Sequence, residues 1–242
     1  MATSVRVLTV NIHKGFALLN RRFVLPALRD AMRSVKADVV FLQEVLGSAG
    51  NGRDDPHYEY LADEVWPEFA YGRNAVYPTG HHGNAVLSKY PIVRHCNHDA
   101  SIDGHEGRGL LHCLLMPPAA TAPLHAICVH LGLKETHRQR QIELLQSAIA
   151  ASVTPGETLI VAGDFNDWRS RAHPVLERCT GLREVFVHAY GRAVRTFPAA
   201  LPLLALDRIY VRDATAHSPY PLPRSPWSRL SDHAPLAAEV GL

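Results

Sequence analysis

The hydrophobic positions in the first part of the chain follow the patterns of two buried strands and one amphipathic helix. Val5–Ile12 is rich in β-branched residues and is predicted to form a strand. Apolar residues recur at helical spacing from Val24 to Val35, which predicts a helix around residues 22–36. Ala37–Glu44 is a nearly continuous apolar run, as expected for a strand that is buried on both faces.

After residue 80 the apolar runs become shorter and are separated by turn residues, a pattern typical of antiparallel strands. Strands are predicted over residues 83–88, 109–115, 124–131, 158–162, 205–211 and 234–240. Helices are predicted over residues 58–66 and 136–151, and loops over residues 47–57 and 217–227. Because strands and helices mix throughout, without a repeat or a long linker, we expect one α/β domain over residues 1–242 with a mixed sheet system.

The composition is that of an ordinary globular protein, and the net charge limits the partners that the chain can bind by electrostatics alone. The chain has 242 residues, of which 47% are hydrophobic and 20% are charged, and these values exclude a disordered chain. Lys and Arg number 25 against 23 Asp and Glu, so the formal net charge is +2. This balance argues against a dedicated electrostatic clamp for DNA and leaves room for a local basic cleft.

The cysteines and the apolar runs favour a cytoplasmic location. Cys113 and Cys128 lie inside apolar runs and no CxxC pair occurs, which indicates reduced, buried thiols. The N-terminal segment has no apolar signal-peptide region, and no run approaches the roughly 20 residues of a membrane span. We expect a monomer without a stable protein partner, with peripheral membrane contact left open.

Polar and charged residues recur at the ends of the predicted strands. Unpaired charge is costly inside a sheet, whereas strand ends are where α/β proteins place their sites. Each residue has an ordinary explanation alone: Glu44 as a surface strand end, His130 as a core histidine, Asp207 as an ion-pair partner of Arg208. Their repetition indicates a functional site formed by Asn11, Glu44, His130, Asp164, Asn166, Asp207, Asp232 and His233.

Six short motifs that contain these residues occur in a familiar order. They are Thr9-Val10-Asn11, Leu42-Gln43-Glu44, Val129-His130-Leu131, Gly163-Asp164-Phe165-Asn166, Leu206-Asp207-Arg208-Ile209 and Ser231-Asp232-His233-Ala234-Pro235-Leu236. The series resembles that of the endonuclease/exonuclease/phosphatase superfamily, which includes exonuclease III-type and DNase I-type nucleases, neutral sphingomyelinases and inositol-polyphosphate 5-phosphatases. The resemblance implies a four-layer α/β sandwich, in which two packed mixed β-sheets are flanked by helices.

Two longer segments resemble one branch of this superfamily in particular. Asn11–Gly15 and Gly83–Pro91 are similar to a bacterial branch that is often encoded beside a cardiolipin synthase and lies nearer the sphingomyelinase-like members than the DNA-repair members. Repair-type nucleases carry Asn-x-Asp after the first strand, whereas the third position here is His13. This difference argues against a repair nuclease, because one acidic metal ligand is missing.

The resemblance implies metal-assisted hydrolysis of a phosphate ester. Glu44, helped by Asn11, would hold Mg²⁺ or Mn²⁺, since hard cations favour oxygen ligands. Asp164 would accept a proton from the attacking water or orient it. Asn166 would fix the phosphate or that water.

The histidines are expected to act on the phosphate group. His233 would contact the phosphate or serve as acid or base, oriented by Asp232. Asp207 would polarise a histidine, and His130 is the candidate implied by the resemblance. A histidine bound to a carboxylate is favoured as the cation, which suits a phosphoryl transition state.

The substrate is predicted to be a phosphodiester, either phospholipid-like or nucleic acid. Arg73, Asn84 and Arg108 are candidates for substrate contact, since Arg matches the geometry of phosphate. Apolar residues within 197–206 and 218–227 could meet a lipid interface. The alternatives are a phosphomonoesterase for a small ester and a catalytically silent binding protein of the same fold. The sequence lacks the motifs of calcineurin-type phosphoesterases and of zinc hydrolases.

Overall fold

The strands form two mixed sheets, each six-stranded in the part of the chain that is described. The computed structural model describes residues 4–17, 22–48, 56–78, 80–118, 120 and 122–242. The strands are β1 (Ser4–Asn11), β2 (Val39–Ser48), β3 (Glu68–Tyr77), β4 (Gly80–Ser88), β5 (Ile92–Asp99), β6 (Gly109–Leu115), β7 (Leu124–His130), β8 (Leu159–Asp164), β9 (Arg183–Glu184), β10 (Asp207–Arg212), β11 (Ala216–Tyr220) and β12 (Leu236–Gly241). The helices are α1 (Leu25–Val35), α2 (His57–Ala62), α3 (Glu135–Ser152), α4 (Ala172–Thr180) and α5 (Val185–Tyr190).

The order of the strands explains where a site can form. The first sheet runs β11-β12-β1-β2-β4-β3 and the second runs β5-β6-β7-β8-β10-β9. β1 and β2 are parallel, and so are β7 and β8, so each of these pairs ends at one edge of its sheet. β10 is antiparallel to β8 and begins where β8 ends, with Asp207 opposite Asp164. Strand ends from both sheets therefore meet at one side of the molecule.

Three apolar clusters hold the layers together. One lies between the sheets and includes Phe41 and Ile160, one from each sheet. A second packs the outer face of the first sheet against α1, and a third packs the outer face of the second sheet against α3. Leu28 of α1 and Leu145 of α3 are fully buried there, and burying such a side chain contributes about 1.5–3 kcal/mol. The predicted four-layer sandwich of two mixed sheets flanked by helices is confirmed.

Most of the predicted buried elements are present, with shifted ends. The helix predicted around 22–36 is α1, and the short helix predicted over 58–66 spans His57–Ala62. The antiparallel pairing expected after residue 80 is confirmed for β6 and β7, whereas β4 lies in the other sheet between β2 and β3. The predicted loop 47–57 overlaps the end of β2, and its residues 49–55 lie outside the described ranges.

The exposed loop predicted over 217–227 is wrong in its first part, where β11 pairs with β12. Pro219 opposes Ala238 in this ladder, and β11 is an edge strand, where the missing N–H of proline is tolerated. β3 and β5 were not predicted at all. They are also edge strands. In β5 five of the eight residues are exposed and the other three are only partly buried, so no alternation of apolar and polar residues marks the strand. An edge strand leaves too weak a hydrophobic pattern to be recognised.

Cys113 and Cys128 are buried, as their apolar surroundings predicted, and the cysteines are free thiols. Burial raises the pKa of both thiols, Cys128 to about 12. Within the described ranges, no helix has the length and hydropathy needed to cross a membrane.

A buried pair of histidines lies on the outer face of the second sheet. His112 Nε2 and His125 Nδ1 are 2.8 Å apart, and His125 Nε2 lies 3.1 Å from Glu157 Oε2. Burial, together with repulsion from His125 and His98, lowers the pKa of His112 to about 4. The fold therefore keeps His112 neutral at pH values at which the unfolded chain would protonate it.

Acid should weaken the fold through His112. Its contribution to stability is fully present above about pH 6.5, the pKa in the unfolded chain, and is lost as the pH falls towards 4. Between pH 7 and pH 5 this loss is about 2 kcal/mol. Urea unfolding of the wild type and of His112→Gln at both pH values measures it. The variant should show the smaller pH dependence, and equal dependence in the two proteins would contradict this role of His112.

Candidate active site

The ends of β1 and β8 and a bulge within β2 bring a carboxamide and two carboxylates together. Glu44 was predicted to end its strand, but β2 continues to Ser48. Asn11 Nδ2 donates to Asp164 Oδ2 at 3.2 Å and lies 3.5 Å from Glu44 Oε1. Asp164 Oδ1 accepts the backbone N–H of Asn166 at 2.9 Å, and Asn166 Nδ2 donates to the carbonyl of Leu131. These residues, which come from both sheets, form one connected group at the sheet edge.

The backbone is unusual at two of these residues. Glu44 has a φ of 56° and lies in a bulge of β2, where the register with β4 shifts between Leu42 and Val45. Asn166 has a φ of 51°. Left-handed conformations of non-glycine residues cost about 1–3 kcal/mol and cluster at functional sites. The bulge interrupts the alternation of β2 at Glu44, so that this side chain is placed at the site edge.

Asp207 pairs with His233, and the expectation that it pairs with His130 is wrong. His233 Nδ1 lies 2.8 Å from Asp207 Oδ2, and the Thr196 hydroxyl donates to the same oxygen at 2.5 Å. Asp207 is the first residue of β10, and its carboxylate reaches His233, which lies in the segment just before β12. The Phe197 ring lies against the His233 imidazole, with centroids 5.0 Å apart.

His130 instead contacts Asp164. His130 Nε2 and His233 Nε2 lie 3.4 Å and 3.8 Å from Asp164 Oδ2, so this carboxylate stands between two imidazoles. Ligand atoms of Asp164, Asp207 and His233 all lie within 4.8 Å of one another. Asp164 is thus the centre of the cluster and is 1% exposed.

The environment gives these groups different charges. Burial and the neighbouring Asp207 raise the pKa of Asp164 to about 6, against the opposing effect of His233. Burial alone would lower the pKa of His233, but the carboxylates of Asp207 and Asp164 outweigh it and raise this pKa to about 10. Burial, followed by the charge of Arg108, holds the pKa of His130 well below its ordinary value. At neutral pH the site therefore combines a cationic His233 with a neutral His130.

Asp232 does not orient His233, contrary to expectation. Asp232 Oδ1 accepts the Ser231 hydroxyl at 3.2 Å, and Asp232 Oδ2 lies 3.9 Å from His13 Nε2. The Ser231 hydroxyl also donates to the Asn11 carbonyl at 2.6 Å and accepts the backbone N–H of His233. Ser231 therefore links the end of β1 to the backbone of His233, and Asp232 lies beside His13.

Arg108 is buried close to His130 and is held by an ionic network. Arg108 Nη1 lies 2.6 Å from Glu106 Oε2. The other oxygen of Glu106 accepts the Tyr77 hydroxyl at 2.6 Å and lies 3.0 Å from His82 Nε2. The contacts with His82, Tyr77 and Arg108 lower the pKa of Glu106 well below its usual range. The guanidinium is thereby fixed in one position at the site edge.

Two predicted substrate contacts lie elsewhere. Asn84 is fully buried between the sheets, where its Nδ2 donates to the carbonyls of Gly109 and Cys128. Arg73 is exposed on β3, and among the described residues no hydrogen bond or ion pair joins its guanidinium to the catalytic cluster. The structure thus assigns Asn84 a bridging role between the sheets, and a substrate contact by either residue stays a prediction.

The donor set fits a hard divalent cation. Glu44 is half-buried, and within the described ranges it makes no ion pair and only the long hydrogen bond from Asn11. A partly desolvated carboxylate without a counter-charge is costly, and a cation beside it would relieve this cost. Glu44 and Asp164 offer carboxylate oxygens, which suit Mg²⁺ or Mn²⁺. Asn11 turns its Nδ2 towards both carboxylates, and its Oδ1 accepts the backbone N–H of His13 at 3.1 Å.

Sequence reasoning missed two residues that support the site. Thr196 is a single hydroxyl in a loop, and no local pattern distinguishes it from other surface threonines. Glu106 had a weak signal, since it lies two positions before Arg108 in a glycine-flanked loop and could have been paired with it.

Comparison with known proteins agrees with this geometry. The family model described as Endonuclease/Exonuclease/phosphatase family matches residues 8–233. The chain belongs to this family. Endonuclease/exonuclease/phosphatase proteins are generally phosphoester hydrolases that depend on a divalent metal. The chain is also 55% identical over 246 aligned positions to the uncharacterized protein YbhP of Escherichia coli, covering 99% of this chain and 97% of YbhP.

Solved structures show the same fold at low sequence identity. An endonuclease/exonuclease/phosphatase from Beutenbergia cavernae aligns with a TM-score of 0.78 and 20% identity, covering 99% of this chain and 72% of that one. Truncated TDP2 from Caenorhabditis elegans aligns with a TM-score of 0.72 and 18% identity, covering 99% and 98% of the two chains. These similarities establish the endonuclease/exonuclease/phosphatase fold.

Proposed function

We propose that this protein is a metal-dependent phosphodiesterase that hydrolyses its substrate by in-line attack of an activated water. The observation that carries the proposal is the buried Asp164 carboxylate, which is bonded to Asn11 and lies between His130 and His233. A general base, a cationic hydrogen-bond donor and a hard-cation site thus stand within contact of one another, which is what phosphate-ester hydrolysis requires.

Each residue has a role that follows from its charge. With a pKa near 6, Asp164 is ionised at neutral pH and is basic enough to take a proton from water. The cationic His233 donates from Nε2 to a phosphoryl oxygen, because its Nδ1 is engaged by Asp207. Asn166 and Arg108 orient the phosphate, whose geometry matches a guanidinium.

Glu44, helped by Asn11, would hold the metal. When bound, the ion neutralises charge on the phosphoryl oxygens. The proposed substrate is a phosphodiester that is either phospholipid-like or part of a nucleic acid, and we propose that the protein acts as a cytoplasmic monomer.

Hydrolysis of bis-p-nitrophenyl phosphate by the purified protein tests this function, with EDTA, Mg²⁺ and Mn²⁺ compared in parallel. We expect cleavage with either metal and none with EDTA. Glu44→Gln should raise the Mg²⁺ concentration for half-maximal activity by at least about tenfold, because the substitution removes a charged ligand. Glu64→Gln, an exposed glutamate after α2, is the matched control and should leave this concentration unchanged.

Other outcomes point to the alternatives. Cleavage of p-nitrophenyl phosphate alone would replace the proposal with a phosphomonoesterase. Equal activity with EDTA and Mg²⁺ would contradict the metal requirement. Absence of cleavage of either ester and of phospholipid and DNA substrates would favour a silent binding protein.

A further inference from the structure

A groove of about 740 Å³ opens beside the catalytic cluster. It lies between the segment that follows Asn166 and the segment that precedes Asp207, and its walls include Trp168, Tyr190, Arg192, Arg195, Leu203 and Leu204. Trp168 on one wall lies two positions after Asn166, and Ala205 on the other lies two positions before Asp207, so both walls are joined through the backbone to residues of the cluster.

The rim of this groove exposes large apolar side chains. We call Trp168, Tyr190, Leu201, Leu203 and Leu204 the apolar rim. Their exposed fractions are 44%, 58%, 65%, 55% and 38% respectively. Single exposed leucines are common on protein surfaces. Here, however, Trp168, Tyr190, Leu203 and Leu204 all line one groove, and Leu201 is exposed on the turn that carries Leu203 and Leu204, which together are a mark of an interaction surface.

The leucines lie on an ordered turn that is tied to the catalytic residues. The backbone N–H groups of Leu203 and Leu204 both donate to the carbonyl of Phe197 at 2.8 Å. Phe197 packs on the His233 ring, and the preceding Thr196 donates to Asp207. A partner bound to the apolar rim would therefore contact the turn that positions Asp207 and His233.

The groove carries positive charge. Arg192 and Arg195 line it, both are exposed, and within the described ranges neither makes an ion pair. Residues 185–206, which contain both arginines, include no Asp or Glu. Arg169 and Arg171, which follow Trp168, are exposed as well, although Arg171 Nη1 lies 3.9 Å from Glu135 Oε2. Arginines that surround exposed leucines suit a surface that is apolar and anionic at once.

We propose that the apolar rim docks on an anionic lipid bilayer, so that the hydrolysed phosphodiester is that of a phospholipid at the surface. The identity of this substrate rests on the proposed phosphodiesterase function, whereas docking does not. A single-stranded nucleic acid would use Trp168, Tyr190 and the arginines for stacking and charge, but it offers no partner for the leucines. The lipid surface accounts for both sets of residues.

Co-sedimentation with vesicles tests the docking separately from hydrolysis. The protein is mixed, in EDTA, with vesicles of phosphatidylcholine and phosphatidylglycerol in equal parts, or of phosphatidylcholine alone. We expect binding to the anionic vesicles that is at least about tenfold stronger than to the neutral ones, and that weakens with salt. The double variant Leu201→Ser with Leu203→Ser should bind the anionic vesicles at least about tenfold more weakly.

Val76→Ser is the matched control, because Val76 on β3 is 66% exposed and lies outside the apolar rim. It should bind as the wild type does, and all variants should melt within about 2 °C of it, since surface substitutions change stability little.

No binding to either vesicle, or equal binding by the leucine variant, would overturn the docking even if bis-p-nitrophenyl phosphate is cleaved. Binding without cleavage of any diester would instead support the docking and refute the phosphodiesterase. Oligonucleotide binding that is lost in Arg192→Gln, without vesicle binding, would assign the face to nucleic acid.

Discussion

Replacing Asp164 with asparagine should reduce phosphodiester hydrolysis by at least about 10²-fold, because the variant keeps the shape of the side chain and loses the base. The loss should appear in kcat, measured with bis-p-nitrophenyl phosphate at saturating Mg²⁺. Asp164 is buried and its pKa is raised from 3.8 to about 6, so the metal-free fold loses stability through this carboxyl as the pH rises from about 4 to about 6, and the loss persists at higher pH. The variant should consequently melt in EDTA at or above the wild-type temperature.

Asp167→Asn is the matched control for this experiment. Asp167 is a buried carboxylate in the same loop, and its Oδ2 accepts the backbone N–H of Ala172 at 2.7 Å, at the start of α4. Its replacement should lower stability by about 1 kcal/mol, the usual contribution of such a hydrogen bond, and leave most of the activity. Near-wild-type activity in Asp164→Asn, or a comparable loss in both variants, would contradict the assignment of Asp164 as the base.

Removing the imidazole in His233→Ala should also cost at least about 10²-fold in kcat, through loss of the cationic donor.

The Asp207→Asn variant tests why this histidine is a cation. Asp207 makes the largest contribution that raises the pKa of His233 to about 10, so the asparagine should lower that pKa. The proposed mechanism uses ionised Asp164 and protonated His233, so the wild-type rate should rise through about pH 6 and fall through about pH 10.

In Asp207→Asn the alkaline fall should therefore begin at lower pH, so that the deficit is larger at pH 9 than at pH 7. Asp232→Asn should shift this limb much less, because the Asp232 carboxylate bonds Ser231 and does not bond the His233 ring. Profiles of kcat/KM against pH for the three proteins make the comparison. An unchanged alkaline limb in Asp207→Asn would show that the cationic form of His233 is not required.

The two sheets contribute unequal parts of this chemistry. The first sheet supplies Asn11 and Glu44, the residues proposed to hold the metal, whereas the second supplies His130, Asp164 and Asp207. His233 comes from the segment that leads back into the first sheet and reaches Asp207 in the second. The packing of one sheet on the other therefore completes the site, and variants that loosen this interface should reduce activity before they unfold the protein.

The sequence by itself determined the α/β class, and through its motifs the family and the layered architecture. It also marked most of the polar residues that the structure brings together at the cluster around Asp164. β1 is rich in β-branched residues and β8 carries a continuous apolar run, and a polar residue at the end of such a strand is conspicuous because unpaired burial is costly. Asn11 and Asp164 could be recognised in this way. These signals are local, and neighbouring residues along the chain suffice to produce them.

Only the tertiary structure decided which of these residues act on one another. The pairing of Asp207 with His233 in place of His130, the support from Thr196, and the burial of Asn84 between the sheets all depend on contacts between residues far apart in sequence. The edge strands β3, β5 and β11 could likewise not be predicted. Each lies at the edge of its sheet, where many side chains are exposed and the sequence shows little apolar pattern. A sequence pattern reports whether a residue is buried, whereas its hydrogen-bond partner is set by the register and packing of strands that the pattern does not specify.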